Sequence, residues 1–168
     1  MNKQCQGKAF VFGNNIDTDQ IYPGRFVQYT DVEEVKQYAM HGADKDFVHK
    51  IKPGDLIIAG INFGCGSSRE HAAITLKAVG VSAIIAESFG RIFYRNAINL
   101  GIPLIICKGI SSKIETGDLI DLDLTSGQIS CEGQALAVGD ALSDYVMTIL
   151  EHGGIKPLIK KQLLGEKA

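Results

Sequence analysis

Gly64-Cys65-Gly66-Ser67-Ser68-Arg69-Glu70-His71 brings a glycine-rich turn, two hydroxyls and a guanidinium together within eight residues. It lies between an apolar run and a segment with helical spacing, so the turn opens onto a helix N-terminus. The first amides of a helix have no internal acceptor, and beside a glycine turn they favour an anion. Arg69 adds a planar fork suited to a carboxylate. The same residues also read as structure: Ser67-Ser68-Arg69-Glu70 has the S-x-x-E spacing of a capping box, in which the serine closes the helix. A plain cap needs neither Gly64-x-Gly66 nor the arginine, so both readings stand.

Magnitudes show what the turn lacks as a reaction centre. An alkyl hydroxyl is a poor base. A helix end stabilises a nearby negative charge by at most about 2 kcal/mol, or about 1.5 pKa units. No His, Lys or Asp spacing suggests a hydrolase triad, and G-x-S-x-G is absent. Either Ser67 only binds, or a positive centre from outside the motif assists it. The motif reads as half of an active site.

Neighbouring candidates carry less. Cys65 is a lone thiol in a tight turn, and one cysteine cannot hold a cluster. His41, His49, His71 and His152 lack metal-ligand spacing; His71, one turn into the helix, reads as a hydrogen-bonding support of the turn. Arg91 and Arg95 lie four apart on one helical face, either as solvated charges or within reach of the same anion. Gly60, Gly64 and Gly66 do not form a dinucleotide fingerprint, because Arg69 occupies the last glycine position.

The elements that must hold the turn follow from periodicity. Lys8 to Phe12 reads as a strand ended by Gly13-Asn14-Asn15, and Asp17 to Arg25 as a polar loop. A helix starts at Thr30 or Asp31, with Val32, Val35 and Ala39 as its apolar stripe. Asp55 to Gly60 is a buried strand, followed by the serine turn and a helix to about Val79. Gly80 to Ala86, Phe89 to Leu100 and Pro103 to Cys107 read as strand, helix and strand. That alternation predicts a partly parallel sheet with helices packed on it. Asp118 to Leu124 alternates, and Gln128 to Val138 returns as an antiparallel partner after Ser126-Gly127. Tyr145 to Glu151 begins a final helix, and residues 153–168 form a C-terminal tail in which Ile155 to Leu164 suits one more short helix. Residues 1–168 read as a single domain.

Composition narrows the function classes. The chain has 168 residues, 45% hydrophobic and 21% charged, as in an ordinary α/β protein. A net charge of −2 argues against nucleic acid as the main partner. No apolar run approaches the roughly 20 residues that span a bilayer. Met1-Asn2-Lys3-Gln4 lacks the apolar segment of a signal peptide, and the four scattered cysteines suit a reducing cytoplasm.

Four stretches together resemble one family. Asp17-Thr18-Asp19, Pro23-Gly24-Arg25, Asn62 through Ala72, and Ser88-Phe89-Gly90-Arg91-Ile92-Phe93 are similar to the small subunit of 3-isopropylmalate dehydratases, the detached swivelling domain of the aconitase superfamily. The resemblance covers nearly the whole chain and implies an α/β fold of the aconitase-type swivelling β/β/α kind. It implies a hydro-lyase acting by dehydration and rehydration in leucine biosynthesis. It also implies a large-subunit partner that carries a [4Fe-4S] cluster on its own cysteines, with no metal held by this chain.

By that resemblance Ser67 is the base that removes and returns the α-proton, while Ser68 and Arg69 hold a substrate carboxylate. Asp19 matches an aspartate that orders a partner histidine or bound water; as structure it is an Asx-turn cap. Arg25 to Thr30 corresponds to the specificity loop. There Gln28 stands where an arginine goes with a carboxylate-bearing substituent, which favours an alkylmalate over a homoaconitate-like substrate unless Arg25 turns inward. Isopropylmalate and a smaller dimethylmalate both remain open, with a homoaconitase-type small subunit as a further alternative. A carboxylate-binding module without catalysis is the alternative from another class.

Overall fold

In the structure, a computed structural model that describes residues 1–165, a seven-stranded sheet runs in the order β4-β3-β2-β1-β5-β6-β7. β1 (Gln4–Val11) is shared between two regions. Its second half pairs in parallel with β2 (Leu56–Ala59), and its first half pairs antiparallel with β5 (Leu119–Asp123). The sequence predicts only that second half, because Gln4 to Gly7 is polar and half-exposed and earns its place through β5.

β2, β3 (Ala83–Ala86) and β4 (Leu104–Ile106) form the parallel region. β2 and β3 are buried on both faces, as expected of parallel strands between layers. β5, β6 (Gln128–Cys131) and β7 (Gln134–Val138) form an antiparallel meander. The predicted single return strand is therefore a hairpin. Its turn is Glu132-Gly133 with φ of 51° and 79°, both in the left-handed region. After β7, Asp140 N donates to Ile106 O at 2.8 Å, so the meander curls back to the edge of β4. Ile58, Ile85, Ile105, Ile120, Leu122 and Ile129 fill the core inside that curl.

The opposite face carries the helices. α1 (Thr18–Ile21), α2 (Val32–Lys36) and α3 (Phe47–Lys50) are short and lie between β1 and β2. α4 (His71–Ala78) and α5 (Arg91–Asn99) cross over between the parallel strands. α6 (Asp144–Glu151) starts at a Ser143 cap, and α7 (Ile155–Leu163) follows. Ala72, Leu76, Phe93, Ala97, Ile149 and Leu158 bury this layer against Ile57, Ile84 and Leu104. Leu158 makes α7 part of the core, and burial of such a side chain is worth about 1.5–3 kcal/mol. No helix among the described residues is long and apolar enough to cross a membrane.

Candidate functional site

The turn sits beyond the carboxyl ends of β1, β2 and β3, where open α/β sheets leave a crevice for ligands. Pairing between β1 and β2 does not stop with the strands. Asn15 N donates to Ile61 O at 2.8 Å, Gly64 N to Ile16 O at 2.7 Å, and Thr18 N to Cys65 O at 2.8 Å. Asn14 Oδ1 accepts from Ile61 N at 2.9 Å, and Asn62 Nδ2 donates to Asn15 Oδ1 at 3.1 Å. Asn15 and Asn62 both have φ of 56°, a conformation that asparagine tolerates better than most residues. On the other side, Phe63 N donates to Ser88 O at 3.0 Å and Gly90 N to Phe63 O at 2.8 Å. The loop leading to Ser67 is thus laced between its two neighbours.

Ser67 is not a helix cap. α4 starts at His71, its N-cap is Glu70, and no side chain caps it. The capping-box reading fails because Arg69 and Glu70 form an approach turn, with Ala72 N bonded to Arg69 O and Ala73 N to Glu70 O. The Ser67 hydroxyl meets Thr18 Oγ1 at 3.0 Å instead. Ser67 and Ser68 are exposed, and the backbone N–H groups from Gly66 to His71 have no acceptor among the described residues. A run of free amides beside an exposed hydroxyl is an arrangement able to accept an anion.

Arg69 is clamped rather than free. Its Nη1 donates to Asp19 Oδ1 at 3.0 Å and to Tyr22 O at 2.8 Å. Asp19 Oδ1 also accepts from Gly24 N at 2.7 Å. These contacts, the Gly24 amide first and then Arg69, hold the Asp19 carboxyl below its ordinary pKa. The helix turn that carries Asp19 is fixed by Asp17, which caps α1 in a reciprocal box with Gln20. The polar loop predicted from Asp17 to Arg25 is therefore a helical turn followed by a 3-10 turn at Gly24–Phe26.

The loop after it is an aromatic stack. Phe26 lies on Tyr38 with ring centroids 3.8 Å apart, and Tyr29 lies on Tyr38 at 5.5 Å. Buried Tyr22 donates to Phe26 O at 2.6 Å and stacks on His71 at 5.1 Å. Burial, then the neighbouring Tyr38 and Tyr29, push the Tyr22 phenol pKa up. His71 Nε2 donates to Tyr29 O at 3.0 Å, so this histidine supports the loop and not the serine turn itself. Arg25 is exposed and lies over its neighbour Phe26 at 4.6 Å. Gln28 is exposed and its side chain makes no hydrogen bond among the described residues. Arg91, the first residue of α5, and Arg95, one turn later, are exposed and in no salt bridge among the described residues.

Cysteine side chains do not gather here. Cys65 stands in the turn, while Cys5 is on β1, Cys107 follows β4 and Cys131 is on β6. Asp118, Cys131 and Glu132 converge where β5 begins beside the β6–β7 turn, with a single sulfur. Neither set suits a [4Fe-4S] cluster, which needs several thiolates.

Sequence reasoning met Thr18, Asn14, Asn15 and Asn62 only inside turn or family motifs and gave none of them a role at the site. Asp17-x-x-Gln20 carries the capping-box spacing that marks α1 and so Thr18. The asparagines offered a turn signal at Asn14-Asn15, a family motif at Asn62, and their tolerance of the left-handed region.

Comparison with known proteins supplies the family. The aconitase C-terminal domain profile matches residues 9–108. The isopropylmalate/citramalate isomerase small subunit of Methanocaldococcus jannaschii is 53% identical over 165 residues, covering 97% of this chain and 98% of that protein. The 2,3-dimethylmalate dehydratase small subunit of Eubacterium barkeri is 46% identical over 154 residues, covering 90% and 94%. The crystal structure of a 3-isopropylmalate dehydratase chain from Methanocaldococcus jannaschii superposes with a TM-score of 0.90 at 41% identity, covering 96% of each chain.

Proposed function

The chain belongs to the aconitase C-terminal domain family, and on that premise we propose that it is the small subunit of a hydro-lyase that isomerises a branched alkylmalate by dehydration and rehydration. The observation that carries this reading is the exposed Ser67 hydroxyl beside free amides, with a guanidinium fixed next to it. Relatives covering almost the whole chain bear names of alkylmalate isomerases and dehydratases. Isopropylmalate is the substrate we favour, in leucine biosynthesis; the Eubacterium barkeri relative keeps dimethylmalate as the second reading.

Ser67 is the base: its oxygen takes the α-proton of the substrate and later returns it. The amides of Ser68 and Arg69 and the unengaged guanidinium nitrogens of Arg69 hold a substrate carboxylate. Asp19 keeps Arg69 in place and faces the partner. Gln28, beside exposed Val27, meets the alkyl substituent without offering it a positive charge.

In this reading the large subunit holds the iron-sulfur cluster, and a single cysteine of this chain, Cys65, stands in the turn. When bound, that cluster supplies Lewis-acid polarisation of the departing hydroxyl. Exposed Val27, Ile61 and Ile92 stand on three elements bordering the turn, and a partner closing over this end would cover them.

The test is anaerobic co-expression with a cluster-bearing large subunit and an assay of alkylmalate isomerisation. Turnover is expected only from the complex. An intact complex with an intact cluster and no activity overturns the reading. Tight carboxylate binding by the isolated chain would then favour the non-catalytic binding module.

A further inference from the structure

Thr18 begins α1, yet its hydroxyl leaves that element and meets Ser67 Oγ at 3.0 Å, across 49 positions of sequence. Thr18 is 3% exposed, so its hydroxyl depends on a protein partner. Ser67 Oγ is the partner that the described residues give this hydroxyl, with either oxygen able to donate, and no buried side-chain oxygen or nitrogen among them lacks a partner. Thr18 is held on both sides. Thr18 N donates to Cys65 O at 2.8 Å, and Thr18 O accepts from Tyr22 N at 2.8 Å. Its β-branched side chain has few rotamers. Gly66 leaves room for it, since a Cβ there would lie 3.3 Å from Thr18 Oγ1.

We propose that Thr18 is a positioning residue for Ser67, donating its hydroxyl proton to the Ser67 oxygen and favouring the charged form of that oxygen. The proposal rests on Ser67 being the base. In the step itself Ser67 gains the substrate proton and becomes a neutral hydroxyl, while Thr18 keeps its own proton throughout. Only the strength of the hydrogen bond changes, because a bond to an anionic oxygen is about twice as strong as a neutral one. Thr18 therefore adds stabilisation to an oxygen that lies four residues before the start of α4.

The experiment uses the assembled complex with Thr18→Val, which keeps the shape and removes the donor, and Thr18→Ser, which keeps the donor. Thr18→Val is expected to lower kcat by about ten- to a hundredfold and Thr18→Ser to restore it to within about threefold, with KM little changed. The acid limb of the kcat/KM profile should move up by about one to two pH units in Thr18→Val. A second readout needs no cluster. In the isolated chain, Thr18→Val and Ser67→Ala should couple by about fivefold in the unfolding constant. Absence of coupling overturns the contact. Unchanged kcat and pH profile in Thr18→Val, while Ser67→Ala is inactive, overturns the proposal and leaves Ser67 as the base. Full turnover by Ser67→Ala overturns both.

Discussion

Arg69 Nη1 lies 3.0 Å from Asp19 Oδ1, and this pair joins the serine turn to the helical turn that follows β1. The arginine side chain is 21% exposed and the aspartate 69%. Such a pair adds little stability, about 0–1 kcal/mol. Its effect is geometric. One guanidinium nitrogen is committed to Asp19 and Tyr22, which fixes the plane of the fork and leaves its other nitrogens for a ligand. Gly24 makes this approach feasible, because a Cβ there would sit 3.1 Å from Arg69 Nη2.

Arg69→Lys tests the fork. Lysine keeps the charge but cannot bond Asp19, Tyr22 and a carboxylate in one plane. KM for the alkylmalate is expected to rise by about ten- to a hundredfold, the value of a lost charge-assisted bond, with stability nearly unchanged. Steady-state kinetics of the complex and thermal unfolding of the chain check the two halves. An unchanged KM would place the carboxylate elsewhere.

Asp19 gives a pH dependence with a defined sign. Its folded-state pKa is lowered, chiefly by the Gly24 amide and then by Arg69. Its contribution to stability is therefore complete above the unfolded carboxyl pKa of about 3.9 and fades as pH falls through the lower folded value. Asp19→Asn should show a constant gap from the parent chain above about pH 5, closing below about pH 4. Urea midpoints across that range measure it; a gap that never closes means the carboxylate is not engaged.

Ser67→Ala should reduce turnover of the complex by at least about a thousandfold, in the range of a lost general base. Its structural cost is not that of a lost helix cap, since α4 starts four residues later. It strands the buried Thr18 hydroxyl, at about 1–3 kcal/mol. Denaturant unfolding of the isolated chain would therefore show a moderate loss that Thr18→Val partly relieves in the double variant.

Elements built from local apolar spacing were legible in the sequence: β2, β3, α5 and α6 fall where their patterns put them. The misread positions depend on distant partners. S-x-x-E at Ser67 is a valid cap signal, but α4 starts only at His71, and the hydroxyl pairs with Thr18, far away in sequence. The first half of β1 looks too polar for a strand until β5 pairs with it. The β6–β7 hairpin was hidden because Glu132-Gly133 lacks the usual Asn-Gly or Asp-Gly signal. The candidate site residues stood out by their chemistry, but the hydrogen bonds that clamp them together did not.

Gln28→Arg probes substrate choice with little risk to the fold. Gln28 is exposed and unbonded among the described residues, so the change should alter stability by less than about 0.5 kcal/mol. The ratio of kcat/KM for a substrate with an added carboxylate over an alkylmalate is expected to rise about tenfold or more, as a new charge-assisted bond allows. An unchanged ratio would mean that this loop does not reach the distal group.

Gly64→Ala tests whether the turn is wedged by the core. Gly64 has φ of 81°, and a Cβ there would collide with the ring of Phe93. That ring is 3% exposed and packs edge-on against Phe63 at 5.4 Å, so it has little room to retreat. The left-handed backbone costs about 1 kcal/mol for alanine, and overpacking adds about 1–3 kcal/mol. Gly117 is the internal control: its φ is 99°, but no atom lies within 4 Å of an added Cβ. Gly117→Ala should therefore lose only the backbone part, while Gly64→Ala loses both and also lowers turnover by displacing Ser67. Equal losses in the two variants would show that Phe93 yields and that the serine turn is held by its lateral hydrogen bonds alone.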